Sequence, residues 1–236
     1  IARLGELCTA GEHVCDVAVY YPLADAQATI LPQNWDNIIE RDKELQNIAF
    51  NLLNRQIDFD FVTDAGIEKA ATAEGTIAIG PEHYHMVIIP PVRFLSLKAL
   101  ETFVAAAEAG VILMVMGTIT EYKPPVAMNF DDTAEFNQLL SKWLSHPNVH
   151  MMQGYTMYKS YTYQFNTDQV EALLKQKIVP DVQVLDNDPT IRVLHRKTKE
   201  ADLYFLVNEK DCSCVRKIRF RAGGKPKLLN PSDGLS

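Results

Sequence analysis

The feature that most constrains the fold is a repeated alternation between short apolar runs and amphipathic helical patterns. The run VCDVAVYYP at 14–22 is rich in β-branched and aromatic residues and ends at Pro22, which is typical of a buried strand. In the segment at 35–56, apolar residues recur three and four positions apart, which predicts a helix. The same succession predicts further strands at 57–64, 75–80, 84–91, 110–117 and 148–152, and helices at 67–73, 97–109, 132–144 and 167–177. Strands that alternate with helices at this spacing predict βαβ units and a mostly parallel sheet.

The pattern changes after LDNDPT at 185–190, where predicted strands follow one another with turns and no helix between them. These strands lie at 191–197, 202–209, 215–222 and 226–230. Consecutive strands of this kind indicate antiparallel β structure. We therefore predict an α/β domain at 1–185 and a partial β-sandwich segment at 186–236. The predicted fold class is α/β and flavodoxin-like, similar to class I amidotransferases, with helices on both faces of the sheet, followed by a short antiparallel β segment.

Composition excludes several classes of function. The chain has 236 residues, of which 47% are hydrophobic and 22% charged, as in an ordinary globular protein. Thirty acidic against 23 basic residues give a net charge of −7, which argues against nucleic acid as a partner. No apolar run approaches the ~18 residues of a membrane span. One basic cluster alternates in a way that predicts the solvent face of a strand: Arg216, Lys217, Arg219, Arg221, Lys225 and Lys227.

The chain contains four cysteines, at Cys8, Cys15, Cys212 and Cys214. They form no CxxC motif and lie beside no histidine cluster at zinc spacing, so we predict free thiols and no metal site. The first residues show helical spacing and the last follow a turn, so we expect the sequence to be a piece of a longer chain. The compartment in which the protein works is left open, with a secreted or periplasmic parent as one alternative.

The stretch GVILMVMGTIT at 110–120 could display a catalytic group, because ligands and nucleophiles lie at the carboxyl ends of strands in open α/β sheets. Amidotransferases of the triad type place a cysteine there, in a tight glycine-flanked turn. Positions 114–116 are instead Met-Val-Met, followed by Gly117. The nearest hydroxyls, Thr118 and Thr120, lie past this turn and outside any G-x-S-x-G motif. We therefore predict that this strand carries no catalytic residue.

The loop after the first predicted strand offers no cofactor motif. Its sequence, YYPLADAQAT, contains neither GxGxxG nor GxxxxGK[ST], which disfavours a nucleotide site. Flavodoxin-type loops rely on serine and threonine, and here only Thr29 is present, so the flavin alternative stays open with weak support. We predict no cofactor.

Two carboxylates could form an acid–base pair. Asp58 and Asp60 share one face of a predicted strand, with side chains ~6–7 Å apart, near the separation of glycosidase dyads. Their alternation with Phe59 and Phe61 is equally typical of a half-buried strand. Asp64 is better interpreted as the N-cap of the next helix.

Two other groups of side chains are candidates for binding. His83 and His85 could lie on one strand face as metal ligands do, but we predict a rim position with ordinary hydrogen bonds. The segment at 154–165 is dense in tyrosine and could stack on sugars, although packing explains such rings equally well. The candidate carbohydrate or interdomain contacts are Tyr122, Tyr155, Tyr158, Tyr161 and Tyr163.

Several spaced segments resemble the region behind the catalytic barrel of glycoside hydrolase family 106, the α-L-rhamnosidase-type enzymes. They are ARLGELCTAGEHVCDVAVYYP, IDFDFVTD, YHMVIIPPVRFLSLKALETFVAAAEAGVILMVMG and IRVLHRKTKEADLYFLVNEKD. The closing FRAGGKPKLLNPSDG also resembles that family, with Leu229 where the family pattern often has tryptophan. The accessory domain of family 42 β-galactosidases is similar in outline.

The resemblance implies that the catalytic carboxylates lie on a (β/α)₈ barrel upstream of Ile1, so none of them is carried over to this sequence. It implies a non-catalytic accessory domain in a hydrolase of plant or bacterial polysaccharide, with the barrel of the same chain as its partner. Carbohydrate and a second copy of the chain are further candidate partners. Two alternatives stay open. One is a carbohydrate- or small-molecule-binding module that uses the tyrosine-rich segment, and the other is an independent hydrolase with Asp60, Glu121 and a histidine in one pocket.

Overall fold

The computed structural model describes residues 2–29, 36–92, 94–116, 130–152, 154–155, 164–165 and 167–229. The helices within them are α1 (Ala2–Thr9), α2 (Leu23–Thr29), α3 (Asp36–Leu53), α4 (Asp64–Ile67), α5 (Leu97–Glu108), α6 (Phe130–Leu144) and α7 (Thr167–Lys177). The first nine strands are β1 (Glu12–His13), β2 (Val17–Tyr21), β3 (Phe59–Thr63), β4 (Ala71–Ala73), β5 (Thr76–Ile79), β6 (Glu82–Tyr84), β7 (Met86–Ile89), β8 (Ile112–Met116) and β9 (Val149–Met152). The later strands are β10 (Gly154–Tyr155), β11 (Gln164–Phe165), β12 (Val182–Val184), β13 (Ile191–Lys197), β14 (Asp202–Asn208) and β15 (Ile218–Phe220).

A five-stranded parallel sheet forms the centre of the α/β part, in the order β3-β2-β7-β8-β9. Numbered by their succession along the chain, these strands run 2-1-3-4-5, which is the order of flavodoxin-like doubly wound sheets. Val17 on β2 is in register with Phe59 on β3 and with Met86 on β7. The predicted fold class, an α/β fold with a mostly parallel sheet and a separate antiparallel part, is confirmed.

The central strands are apolar because both of their faces are covered. Val17 and Val19 on β2 point to one face and Tyr20 to the other, and all three are fully buried. The Tyr20 ring packs edge-on against Phe103 of α5 at 5.5 Å, and Phe103 stacks on Trp143 of α6 at 5.7 Å. Helices α5 and α6 therefore cover the Tyr20 face.

Helix α5 begins and ends where the sequence predicts. The Ser96 hydroxyl oxygen accepts a hydrogen bond from the amide of Ala99 at 3.0 Å, which satisfies a donor in the first turn. The same hydroxyl donates to Glu68 at 2.6 Å. At the other end, Gly110 has a φ of 98°, a conformation that glycine adopts at little cost.

The helix predicted at 67–73 is wrong. Helix α4 is a single turn that ends at Ile67, and residues 71–73 form strand β4 in the antiparallel sheet β4-β5-β6. Glu74 and Gly75 join β4 to β5 with φ of 47° and 78°. Two consecutive positive φ values define the tight hairpin turn that favours a strand pair over a helix here.

Asp64 is not the N-cap of α4. Thr63 occupies that position, and Asp64 lies in the first turn of the helix. Its carboxylate accepts a hydrogen bond from the Tyr20 hydroxyl at 2.5 Å and another from the backbone amide of Ala24 at 3.0 Å. Long-range contacts therefore determine the role of this side chain, rather than its position before a helix.

The described residues fall into two compact units. One comprises 16–50 and 59–178 and contains the central sheet, and the other comprises 1–15, 51–58 and 179–236. In the second unit β13 and β14 form the predicted antiparallel hairpin, and β1 pairs with β13 on its other side. The domain boundary predicted at 185/186 stays a prediction.

The end of the chain differs from the predicted run of strands. The segment predicted at 215–222 is a strand only at Ile218–Phe220, and it pairs with Val182–Val184 instead of with its neighbour in sequence. Residues 226–229, predicted as strand, are irregular. Strand β12 has only three residues and follows Pro180 closely, so its sequence shows too few alternations to predict a strand.

Candidate functional site

A pocket lies at the carboxyl edge of the central sheet, where β2 and β7 end. Strand β2 ends at Tyr21 and is followed by Pro22, and β7 is followed by Pro90 and Pro91. These strands are adjacent, and the chain winds outward from them in opposite directions. In doubly wound sheets, ligands bind outside the carboxyl ends of the strands at such a reversal of strand order.

The pocket has a volume of about 340 Å³, at the lower end of the range of small-molecule sites. It is lined by Tyr21, Pro22, Pro90 and Pro91 at the ends of the two strands and by residues 39 and 42–46 of helix α3. Asp42 and Gln46 lie on α3 one turn apart, and the Gln46 amide donates to the Asp42 carboxylate at 2.7 Å. The wall from α3 therefore presents oriented polar groups to an otherwise apolar pocket.

The Tyr21 ring packs against Phe61 of the neighbouring strand β3, which in turn contacts Phe59. It meets the Phe61 ring at 6.1 Å and 82°, and Phe61 meets Phe59 at 5.3 Å and 85°. These edge-to-face contacts are the favoured geometry of aromatic pairs. Tyr21 is nevertheless 38% exposed, so part of this ring is accessible to a ligand.

Sequence reasoning missed this pocket, although a signal for it was present. Prolines directly follow two apolar strands, and residues 39, 42, 43 and 46 share one face of α3 at helical spacing. In sequence, the prolines by themselves indicate only where the strands end. The two features come together only once the strand order is known.

Strand β8, in which a nucleophile was considered, is a buried core strand. Met114 and Val115 are fully buried and Met116 is 2% exposed. The five residues of β8 are all apolar. That the strand carries no catalytic residue stays a prediction. Residues 117–129, which include Thr118, Thr120 and Tyr122, lie outside the described residues.

The two aspartates considered as an acid–base pair have different partners. His13 Nε2 lies 2.8 Å from Asp58 Oδ2. Asp60 accepts a hydrogen bond from the Tyr84 hydroxyl at 3.1 Å.

The two histidines considered as metal ligands are exposed. His83 lies on β6, paired with Ala78 of β5. The ring of His85 lies with Nδ1 at 3.2 Å from the carbonyl oxygen of Gly75, an ordinary hydrogen bond.

The tyrosine-rich segment is described only in part. Gly154–Tyr155 pairs with Gln164–Phe165 as an antiparallel ladder. Tyr158, Tyr161 and Tyr163 lie outside the described residues. Their role in binding stays a prediction.

The second compact unit contains a buried histidine that sequence reasoning did not single out. His195 is 5% exposed, with Nδ1 at 2.8 Å from Asp181 and Nε2 at 3.0 Å from Asp202. Its ring stacks on Tyr204, directly opposite on β14, at 4.0 Å. Both ring nitrogens lie within hydrogen-bond distance of a carboxylate, which favours a structural role over general-base chemistry.

The environment of Tyr204 disfavours its ionised form. Burial, followed by the negative charge of Asp181, raises the pKa of Tyr204 to about 12. Its hydroxyl donates to Asp181 at 3.2 Å, and Arg221 lies 3.3 Å from the same carboxylate oxygen. Tyr204 therefore stays neutral and acts as a hydrogen-bond donor.

Asp188, also in this unit, is a buried carboxylate with a full set of donors. The Thr190 hydroxyl at 2.6 Å and the Thr190 amide at 3.1 Å are the main reasons why the pKa of Asp188 lies well below its usual range. Arg216 at 2.5 Å and Lys210 at 3.3 Å add to this effect. Part of the basic cluster is therefore not a solvent face, since Arg216 points inward to Asp188.

A comparison with protein-family models found a match to glycoside hydrolase family 106, described as alpha-L-rhamnosidase, over residues 1–236. The chain belongs to glycoside hydrolase family 106. This confirms the family resemblance predicted from the sequence. Searches of curated proteins and of solved structures found no match.

Membership of family 106 makes the chain part of a rhamnosidase-type glycoside hydrolase family.

Among the helices that the structure describes, none is both long enough and apolar enough to cross a membrane. All four cysteines are free thiols, as predicted.

Proposed function

We propose that this family 106 chain is a non-catalytic accessory region that supports the catalytic barrel of a rhamnosidase-type hydrolase. The observation that carries the proposal is strand β8. It lies at the position where related α/β folds display a nucleophile, yet Ile112–Met116 is apolar throughout and four of its five residues are buried. A strand of this kind contributes packing rather than chemistry.

The carboxylates of the pocket also favour a non-catalytic role. Glycosidases place two carboxyl groups on either side of the scissile bond, roughly 5–9.5 Å apart. The acids that line the pocket, Asp42 and Glu44, are two residues apart on one helix. Side chains at that spacing do not face each other, so they are poorly placed to flank a sugar.

The central sheet supports a buttressing role. Its inner strands β2, β7 and β8 are buried on both faces, and aromatic contacts connect the sheet to α5 and α6. A rigid layered domain of this type can hold a neighbouring barrel through an interdomain surface. In this proposal the partner is an upstream barrel of the same parent chain, and the tyrosines of 154–165 are candidate contacts.

The test is hydrolysis of an aryl α-L-rhamnoside by this chain and by a longer protein that includes an upstream barrel. We expect turnover by the longer protein alone. As a matched control, Asp60→Asn in the longer protein removes the best acid of the rival mechanism and should leave kcat unchanged. Turnover by this chain alone, or loss of kcat in Asp60→Asn, would contradict the accessory role.

A further inference from the structure

We propose that the pocket between β2, β7 and α3 binds one neutral pyranose unit, such as a terminal α-L-rhamnosyl residue, as a site separate from catalysis. The place of the pocket is the first argument. It lies at the reversal of strand order, the position at which doubly wound sheets bind their ligands.

The size and charge of the pocket limit the class of ligand. A volume of about 340 Å³ holds a small molecule rather than a dinucleotide or an oligosaccharide. Among the described residues that line it, the charged side chains are Asp42, Glu44 and Lys43, two acids against one base. A phosphate or another anion would meet a net negative wall, which argues against a nucleotide or a flavin phosphate.

The chemistry of the walls matches a neutral sugar. The ring of Tyr21 and the rings of Pro90 and Pro91 offer an apolar surface to the C–H face of a pyranose. Among the lining residues of α3, the Asp42 carboxylate has lone pairs beyond the one that accepts from Gln46, and these can accept from sugar hydroxyls. An apolar pocket with a few oriented polar groups is the usual form of a small-molecule site.

The Tyr21 surface is also preorganised. Because Phe61 packs edge-to-face against Tyr21, and Phe59 in turn against Phe61, the Tyr21 ring has less freedom to lose when a ligand stacks on it. The choice of a rhamnosyl unit rests on membership of family 106, whereas the pocket and its preference for a neutral sugar rest on geometry.

The experiment is a titration of this chain with methyl α-L-rhamnoside, followed by saturation-transfer NMR. We expect a Kd on the order of 1–10 mM, as for a small ligand with few polar contacts. Tyr21→Ala should weaken binding at least 10-fold, and so should Asp42→Ala, a second variant at an exposed position that does not threaten folding. Phe50→Ala is the matched control, because it removes an exposed ring of α3 outside the pocket and should change the Kd less than 2-fold.

Inorganic phosphate and flavin mononucleotide are titrated in parallel as anionic probes. Absence of sugar binding, equal binding by Asp42→Ala, or displacement of the sugar by either anion would overturn the proposal. This binding assay is independent of hydrolysis. If this chain neither hydrolyses the rhamnoside nor binds the sugar, the proposal of a sugar site in the pocket is refuted, while the proposed accessory role is not.

Discussion

Replacing Gly11 by alanine should detach strand β1 from β13. Gly11 has a φ of 60°, and a Cβ atom there would lie 2.0 Å from the carbonyl oxygen of Lys197 and 2.7 Å from its carbonyl carbon. Both are backbone atoms, so no side-chain rotation can relieve the contact. An ordinary separation begins near 3.4 Å, so the two segments must move apart by about 1.4 Å.

A shift of that size breaks the contacts that join the N-terminal segment to β13. They include the bond from the Val14 amide to the carbonyl of His195 at 3.1 Å. The Arg196 guanidinium also donates to the carbonyls of Ala10 at 3.0 Å and Gly11 at 2.7 Å. Three hydrogen bonds at about 1 kcal/mol each, plus about 1–2 kcal/mol for alanine at positive φ, give a loss of about 4–5 kcal/mol.

Gly80 provides a matched control, because its φ of 62° is nearly the same while an added Cβ would meet nothing within 4 Å. Gly80→Ala should therefore cost only the conformational term of about 1–2 kcal/mol. The assay combines thermal unfolding with hydrogen exchange at the amide of Val14. Gly11→Ala should lower the Tm by roughly 10 °C and expose that amide, and Gly80→Ala should lower it by roughly 4 °C. Equal losses in the two variants would refute the steric argument.

Two further predictions test polar contacts. The lowered pKa of Asp188 means that its contribution to stability is complete above the ordinary carboxyl pKa near 4 and is lost as the pH falls toward the folded pKa. The test is the Tm of the parent and of Asp188→Asn measured from pH 5 to pH 2. The variant should have the lower Tm at pH 5, and its Tm should fall less than that of the parent as the pH is lowered. An equal fall in Tm for both proteins would contradict a stabilising ionised Asp188. Ser96→Ala should reduce the free energy of unfolding in urea by about 1 kcal/mol through loss of the α5 cap, whereas Ser96→Thr, which keeps the hydroxyl, should lose clearly less. A larger loss from threonine than from alanine would argue against the cap.

Much of the fold could be predicted because its signals are local. The apolar runs that become β2 and β8 and the cap at Ser96 are each contained in a few neighbouring residues, and the structure confirms them. The wrong predictions also come from the use of local signals alone. The local pattern at 67–73 predicts a helix. In the structure, the Glu74-Gly75 turn instead forms a hairpin between β4 and β5.

The candidate site was less predictable than the fold. Asp58 and Asp60 looked like a pair because alternation in sequence implies a shared face, but each has a different partner in the structure. Sequence spacing shows which side chains can lie on one face of an element. It does not show which distant residue satisfies them, as the contact between Asp188 and Arg216 illustrates.

The sequence by itself therefore determined the class of the fold, the buried strands and the membership of family 106. Periodicity and composition are properties of short segments, and the family match covers the whole chain. Only the tertiary structure decided that β2 lies beside β7, and that Tyr21 and Pro90 thereby share a pocket with Asp42. The physical reason is that strand order results from contacts between segments that are distant in sequence, so neighbours in the sheet need not be neighbours along the chain.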